Sequence, residues 1–365
     1  MKRAAILCLC ILLFVCGCQE NKGQERIKDD NSIYHKGVWV TYGELNGMLA
    51  SDFKDEFSKV IEKCKEKGIT DIFVHTRAFC DAYYPSSLFP MAESVKSAEF
   101  DILEFMVESA HQKNIRFHAW INPYRVRTAD NNIQNINQES PAYKWGLSEE
   151  LLVTGSGIYL NPASYKARIL VTDGVREILN TYAVDGIHFD DYFYPMDLNQ
   201  EDISSYQEYC ASTESPVSIE DWRRGNVNAL ISGVYTAIKF INKDIIFSVS
   251  PAADIEKNYN CRYADVTVWG ESGCVDWIIP QLYFGFNYPD SKFCFNNLLD
   301  SWKRELKSSK AKLLIGLASY KVGTQTMPDA AEWILGEEII KAQEKICEED
   351  EDIYGHLYFS YSYIK

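Results

Sequence analysis

The chain reads as an α/β protein, a (β/α)8 TIM barrel that lacks its last helix. Three observations predict it. Short β-type runs alternate with longer helical runs from about residue 37 to the end, eight of the first kind and seven of the second. Such alternation argues for a parallel sheet, and the number eight for a closed barrel over an open sheet. Of 365 residues, 46% are hydrophobic and 13% aromatic, which gives a large core and excludes a disordered chain.

The strands are expected at residues 37–41, 71–77, 115–122, 185–190, 245–250, 275–283, 312–318 and 356–361. Each is a short run rich in β-branched, aromatic and aliphatic residues. Between them, apolar residues recur at three- and four-residue spacing over 55–67, 100–113, 164–182, 220–241, 295–309 and 329–348, and more weakly over 263–271. Capping signals open several of these helices, as in Ser218-Ile219-Glu220-Asp221. The two longest strand-to-helix connections, 123–163 and 192–219, follow the third and fourth strands. They fall on the C-terminal face of a barrel, where active sites form.

Ahead of the barrel lies a different kind of sequence. Met1-Lys2-Arg3 is basic, and residues 4–17 are almost wholly apolar. That run is too short to span a bilayer, which takes about 20 residues, and fits the h-region of an export signal. Its end, Val15-Cys16-Gly17-Cys18, resembles a bacterial lipobox, so residues 1–17 are read as a cleaved signal and Cys18 as the lipidated residue. Residues 18–35 then form a polar tether, and 36–365 the barrel domain. The expected location is the outside of a bacterial membrane, in the cell envelope, reached through the lipid anchor alone.

The net charge is −15, and −17 once Lys2 and Arg3 are removed (−15 minus 2). A field of that sign repels phosphate, so nucleic acid is not an expected partner. Beyond the signal stand seven cysteines, Cys64, Cys80, Cys210, Cys261, Cys274, Cys294 and Cys347. They are widely spaced, with no CxxC and no zinc pattern, and most are expected to be buried thiols. No metal ligand set, cofactor motif or protein partner is read from the sequence.

Strand alternation picks out the barrel interior. His188 and Asp190 share a side of the fourth strand, with Asp190 at the rim and Asp191 opening the loop. His118, Trp120 and Asn122 share a side of the third, and Phe73, His75 and Arg77 of the second. Ser248 and Ser250, then Ile279, Gln281 and Tyr283, do so in the fifth and sixth. Five strands thus send polar side chains inward where Val, Ile and Leu are usual. Carboxylates among aromatic platforms suit a sugar, whose rings have apolar faces edged by hydroxyls. Glycoside hydrolysis needs two carboxyl groups flanking the bond. Asp190 is the first candidate for nucleophile or stabilising carboxylate; the acid is left open among Asp191, its nearest neighbour, and Glu44, Asp81 and Asp254, which also lie at or after strand ends.

Long stretches now match a known family. Gly37-Val38-Trp39-Val40-Thr41, His118-Ala119-Trp120-Ile121-Asn122-Pro123-Tyr124-Arg125-Val126, Leu160-Asn161-Pro162 and Asp185-Gly186-Ile187-His188-Phe189-Asp190-Asp191-Tyr192-Phe193-Tyr194-Pro195 resemble glycosyl-hydrolase-like family 10. So do Asp221-Trp222-Arg223-Arg224 and Pro280-Gln281-Leu282-Tyr283. The resemblance implies a TIM barrel and a glycosidase of bacterial lipoproteins, acting on cell-wall glycan stripped of its peptides. It carries over Arg77, Asp81 and Tyr84 as an R-x-x-x-D-x-x-Y stretch at the substrate. It also implies a substrate or loop-bracing role for Arg223 and Arg224. Asn122, Tyr124, His118, Arg77, Gln281 and Tyr283 are expected to orient the sugar, with Trp120, Arg125 and His188 also at the substrate. His188 is expected to tune Asp190. Asp185 to Tyr192 is similar to the chitinase DGxDxDxE strand, yet Tyr192 stands in place of the catalytic Glu. The alternatives are a glycan-binding lipoprotein without catalysis, and a polysaccharide lyase or deacetylase.

Overall fold

The computed structural model describes residues 26–28 and 33–364. Eight parallel strands close into a barrel in chain order. They are β1 (His35–Val40), β2 (Asp71–Arg77), β3 (Arg116–Ile121), β4 (Gly186–Phe189), β5 (Ile246–Val249), β6 (Trp277–Ile278), β7 (Lys312–Leu317) and β8 (Ile353–Phe359). β1 pairs with both β2 and β8, which completes the ring. Seven helices follow in turn as the outer layer: α1 (Phe53–Glu66), α2 (Ile102–Gln112), α3 (Tyr165–Thr181), α4 (Ile219–Ile241), α5 (Val266–Ser272), α6 (Phe295–Glu305) and α7 (Glu338–Glu349). After β8 the described residues hold only a 3-10 turn, Tyr361–Tyr363. The fold is a (β/α)8 TIM barrel without an eighth helix in the described chain. No helix among the described residues is long and apolar enough to cross a membrane. The signal, Cys18 and most of the tether lie outside the described residues.

Several boundaries differ from the sequence reading. The sixth strand shrinks to Trp277–Ile278 plus two isolated bridges from Gln281, to Ala252 and Gly316, because Pro280 has no N–H to give a ladder. The helix expected at 329–348 breaks into Ala330–Trp333 and α7, with Gly336 between them at φ +97°. The connection 123–163 is not simple loop. It folds a three-stranded antiparallel sheet from Arg125–Thr128, Leu151–Val153 and Gly157–Leu160. The 192–219 connection carries a helix, Ile203–Ser212. Only Cys64, Cys80 and Cys347 of the seven thiols are buried, and all seven are unpaired.

Alternation sorts the side chains into two cores. Val38, Ile72, Val74, Ala119, Ile187, Phe189 and Val249 pack outward under the helices. Trp39, Phe73, Trp120, Trp277, Ile279 and Leu357 fill the inside. The floor of the interior is polar. Asp71 opens β2 fully buried and accepts from Arg116 at 2.8 and 2.9 Å, His118 Nε2 at 2.9 Å and Thr70 Oγ1 at 2.6 Å. His35 Nδ1 lies 3.3 Å from the same carboxylate. Burial alone would raise this carboxyl, but the hydrogen bonds from His118 and His35 and the charge of Arg116 outweigh it and hold the group well below the usual range.

Removing one side of a buried ion pair strands the other charge. Asp71→Ala is therefore expected to cost about 3–5 kcal/mol in urea unfolding at neutral pH. Because the folded pKa is depressed, that contribution is present above about pH 4 and fades as pH falls below it. A variant as stable as wild type at pH 7 would contradict this account of the floor.

Candidate active site

The rim of β3 and β4 builds the centre of the mouth. Asp190 follows β4 directly and is 3% exposed. Its Oδ2 accepts from Asn122 Nδ2 at 2.9 Å and from Trp120 Nε1 at 3.3 Å. Its Oδ1 has no partner among the described residues. Trp120 cannot tilt away, because its ring stacks on His75 with centroids 3.3 Å apart. Asn122 is fixed in turn, since its Oδ1 accepts from the Arg125 N–H at 3.2 Å. Burial pushes the Asp190 carboxyl up to about 7; the Asp191 charge adds to this, while Arg125 and the two donors oppose it.

Asp191 faces the other way. It is also buried, but its Oδ2 lies 2.7 Å from Arg262 Nη1, which donates as well to its backbone carbonyl at 3.0 Å. Gln281, on the same arc, lowers the Asp191 carboxyl somewhat and anchors itself on the Ser250 carbonyl at 3.1 Å. Burial raises Asp191 above the ordinary carboxylate value, and Arg262 offsets this only in part. Adjacent carboxyl groups thus lean toward opposite arcs of the mouth, one onto neutral donors and one onto a cation. Tyr192 is 46% exposed, and Arg125 spans the rim over the Tyr192 and Phe79 rings at 5.4 and 4.8 Å. Tyr283 closes the far side against Tyr320 and Phe359.

The structure therefore gathers Asp190, Asp191, Trp120, Asn122, Arg125, Gln281 and Tyr283 at one rim. His188 sits one layer below. Its Nε2 accepts from Trp39 Nε1 at 3.0 Å, so the proton is on Nδ1, 2.8 Å from Ser248 Oγ. Burial and the nearby His118 keep this ring well below its usual pKa. It is neutral and makes no hydrogen bond to Asp190, so the expected tuning by charge or hydrogen bond does not occur; His188 supports the layer on which Trp120 rests.

Other sequence candidates lie elsewhere. His118 belongs to the floor, bound to Asp71, in space left by the missing Cβ of Gly186. Arg77 was expected inside, but the β2–β3 register shifts between His75 and Arg77 and turns it outward. There its guanidinium packs over Phe89 at 3.8 Å and against Gly174 of α3, where a Cβ would collide with it. Tyr84 is buried in the same place, against Tyr182. Tyr124 is fully buried away from solvent. Arg223 grips Asp202 at 2.6 and 2.8 Å and Tyr263 at 2.7 Å; Arg224 holds Asp221 at 2.5 Å and the Tyr259 carbonyl at 3.1 Å. Both brace loops. Asp81 lines a neighbouring cleft with Phe79, Arg127 and Gln134, and burial raises it to about 6. Glu44 and Asp254 cap helices at Tyr42–Asn46 and Ile255–Cys261. Sequence reasoning missed Arg262, which lies in irregular chain with no pattern to mark it, and Trp39, which the alternation of β1 could have found.

The family described as glycosyl hydrolase-like 10 matches residues 35–334. Glycosyl hydrolase YngK of Bacillus subtilis is 30% identical over 354 residues, covering 89% of this chain and 68% of its own. Glycosyl hydrolase DigH of Escherichia coli K12 is 29% identical over 420 residues, covering 100% of this chain and 93% of its own. Among solved structures, the PgaB (BpsB) glycoside hydrolase domain of Bordetella bronchiseptica shares the fold, with TM-score 0.60, 13% identity, and coverage of 90% of this chain and 94% of that one.

The raised Asp190 carboxyl predicts a pH-dependent stability. Unfolded, it ionises near 3.8; folded, it keeps its proton until about 7. The stability it contributes is complete below the lower value and is lost as pH rises through the higher one. Asp190→Asn is therefore expected to be more stable than wild type at about pH 8, by up to about 4 kcal/mol, and no more stable at about pH 4. Thermal unfolding at both pH values checks it; a variant less stable at about pH 8 would refute the buried-proton account.

Proposed function

The chain belongs to the glycosyl hydrolase-like 10 family, and on that premise we propose that it is a glycoside hydrolase of the bacterial cell envelope. Its substrate is a glycan, with peptide-free peptidoglycan strands as the first choice, and it is held to the membrane by lipid on Cys18. The observation that carries the reading is Asp190: a buried carboxyl at a strand end, oriented by Asn122 and Trp120 and still protonated near neutral pH. A carboxyl in that state can donate a proton to a leaving glycosidic oxygen. Asp191, 2.7 Å from Arg262, is the companion carboxylate, as base or as stabiliser of positive charge on the sugar ring; burial raises it too, and the Arg262 guanidinium is the group that favours its ionised form. Two neighbouring carboxyl groups with different surroundings divide the acid and base roles between them. Trp120, Tyr192 and Tyr283 supply flat faces for sugar rings, and Arg125, Asn122 and Gln281 supply donors to hydroxyls. No step requires a cofactor.

Product mass spectrometry with a glycan panel tests this. Wild type is expected to cleave peptide-free wall strands, and Asp190→Asn to lose about 10²–10⁴-fold in rate while still binding them. Activity is expected to fall as pH rises through about 7, where Asp190 gives up its proton. Binding by both proteins without any cleavage would leave a glycan-binding module instead. An unsaturated end in the product would mark a lyase, and released acetate a deacetylase.

A further inference from the structure

Opposite the mouth, a short segment ahead of the barrel is clamped to the floor. Arg26 donates from Nε to the Val184 carbonyl at 3.1 Å, and from Nη2 to Leu179 and Tyr182 carbonyls at 3.0 and 3.2 Å. The Ile27 N–H donates to Asp185 Oδ1 at 2.6 Å. These acceptors are the last turn of α3 and the approach to β4. A helix C-terminus leaves such carbonyls unpaired and bears partial negative charge, so a guanidinium fits there on both counts. The chain therefore leaves the barrel from the end of β4 opposite Asp190. Arg26 lies eight positions after Cys18 in the sequence, so eight chain steps reach at most about 29 Å even fully extended.

The floor also differs in charge from the rest of the protein. All barrel helices end on this face, and their last turns and the turns after them carry exposed lysines: Lys65 in the last turn of α1 and Lys67 after it, Lys243 after α4, Lys307 and Lys310 after α6. Some acidic groups in the same turns are matched by lysines, while Glu66, Glu271, Glu348 and Glu351 stand exposed beside them. Asp244 pairs with Lys28 at 3.6 Å, and Asp350 and Asp352 pair with Lys303 at 2.6 and 3.1 Å. Phe240, at the floor end of α4, is 90% exposed. In a chain of net charge −15, this is a lysine-bearing face with an apolar side chain at its edge.

We propose that the floor of the barrel is a docking surface for an anionic lipid bilayer, held there by the Arg26–Ile27 clamp, so that the mouth opens away from the membrane. The proposal rests on the lipid-anchor part of the function above and not on its chemistry. Each lysine brought near an anionic surface adds attraction, and a lipid anchor of one or a few chains gains from such a second contact. The consequence for substrate choice is direct. A mouth turned outward meets polymer standing off from the membrane, and is turned away from sugars attached to membrane lipids.

Amine footprinting of the full lipidated chain, read by mass spectrometry, tests this. The chain is reconstituted in phosphatidylcholine vesicles with or without phosphatidylglycerol and compared with the chain in detergent. On anionic vesicles Lys65, Lys67, Lys243, Lys307 and Lys310 are expected to lose reactivity several-fold. Lys144 and Lys257, exposed on the mouth side, are expected to keep theirs. Without phosphatidylglycerol the contrast is expected to weaken. Reversing Lys243 and Lys310 together, as Lys243→Glu and Lys310→Glu, is expected to weaken it too, by up to about fivefold for each charge. Arg26→Ala touches only the clamp, and is expected to narrow the difference between the faces. Equal protection of both faces, or protection of Lys144 and Lys257, overturns the proposal. Failure of the chain to associate with either vesicle overturns it together with the anchor, and leaves the Asp190 cleavage assay to decide the glycosidase reading separately.

Discussion

Pairing of β1 with β8 closes the sheet, and closure removes water from a space into which several strands send polar side chains. Each of those groups must then find its partner within the barrel. The result is a stack of layers. Asp71 meets Arg116, His118 and His35 at the floor; Trp39, His188 and Ser248 are linked in the middle; Trp120 and Asn122 hold Asp190 at the top. Each layer restricts the rotamers of the next through ring packing, as between Phe73 and His118 at 4.2 Å and between His75 and Trp120 at 3.3 Å. The position of Asp190 is set from beneath as much as by its own hydrogen bonds.

The same enclosure explains why two neighbouring aspartates behave differently. Both lose solvent, and loss of solvent favours the neutral acid. Asp190 receives only amide and indole N–H donors, whereas Asp191 receives the Arg262 guanidinium. A nearby cation compensates an ionised carboxylate far better than a neutral donor does in a medium of low dielectric. The asymmetry comes from a loop after β5 that ends beside a loop after β4, which nothing in either local sequence requires.

Parallel strands also give the molecule two unlike ends. Helix N-termini and the long loops gather around the mouth, and helix C-termini around the floor. Lysine is favoured at the C-terminal turns for the dipole alone. Because every barrel helix points the same way, these local preferences add up on one face. The clamp of Arg26 onto the carbonyls at the end of α3 uses the same polarity.

The sequence by itself determined the barrel, its strand order and most of its inward-facing residues, because alternation and helical spacing are local and repeat many times. Asp190, Trp120 and Asn122 were legible in this way, as polar groups at strand ends on the inward side. Alternation failed where the strand was irregular: a register shift after His75 turned Arg77 to the outside, and Pro280 cut the sixth ladder short. It also could not separate depth along a strand into floor and rim roles, so His118 and His188 read alike with Asn122 although they serve the lower layers. Tertiary structure alone decided which groups are partners. Arg262 reaches Asp191 across 71 residues and Arg26 reaches Val184 across 158. Such contacts arise from how loops and termini meet after the barrel has closed, and no periodicity in the chain encodes them.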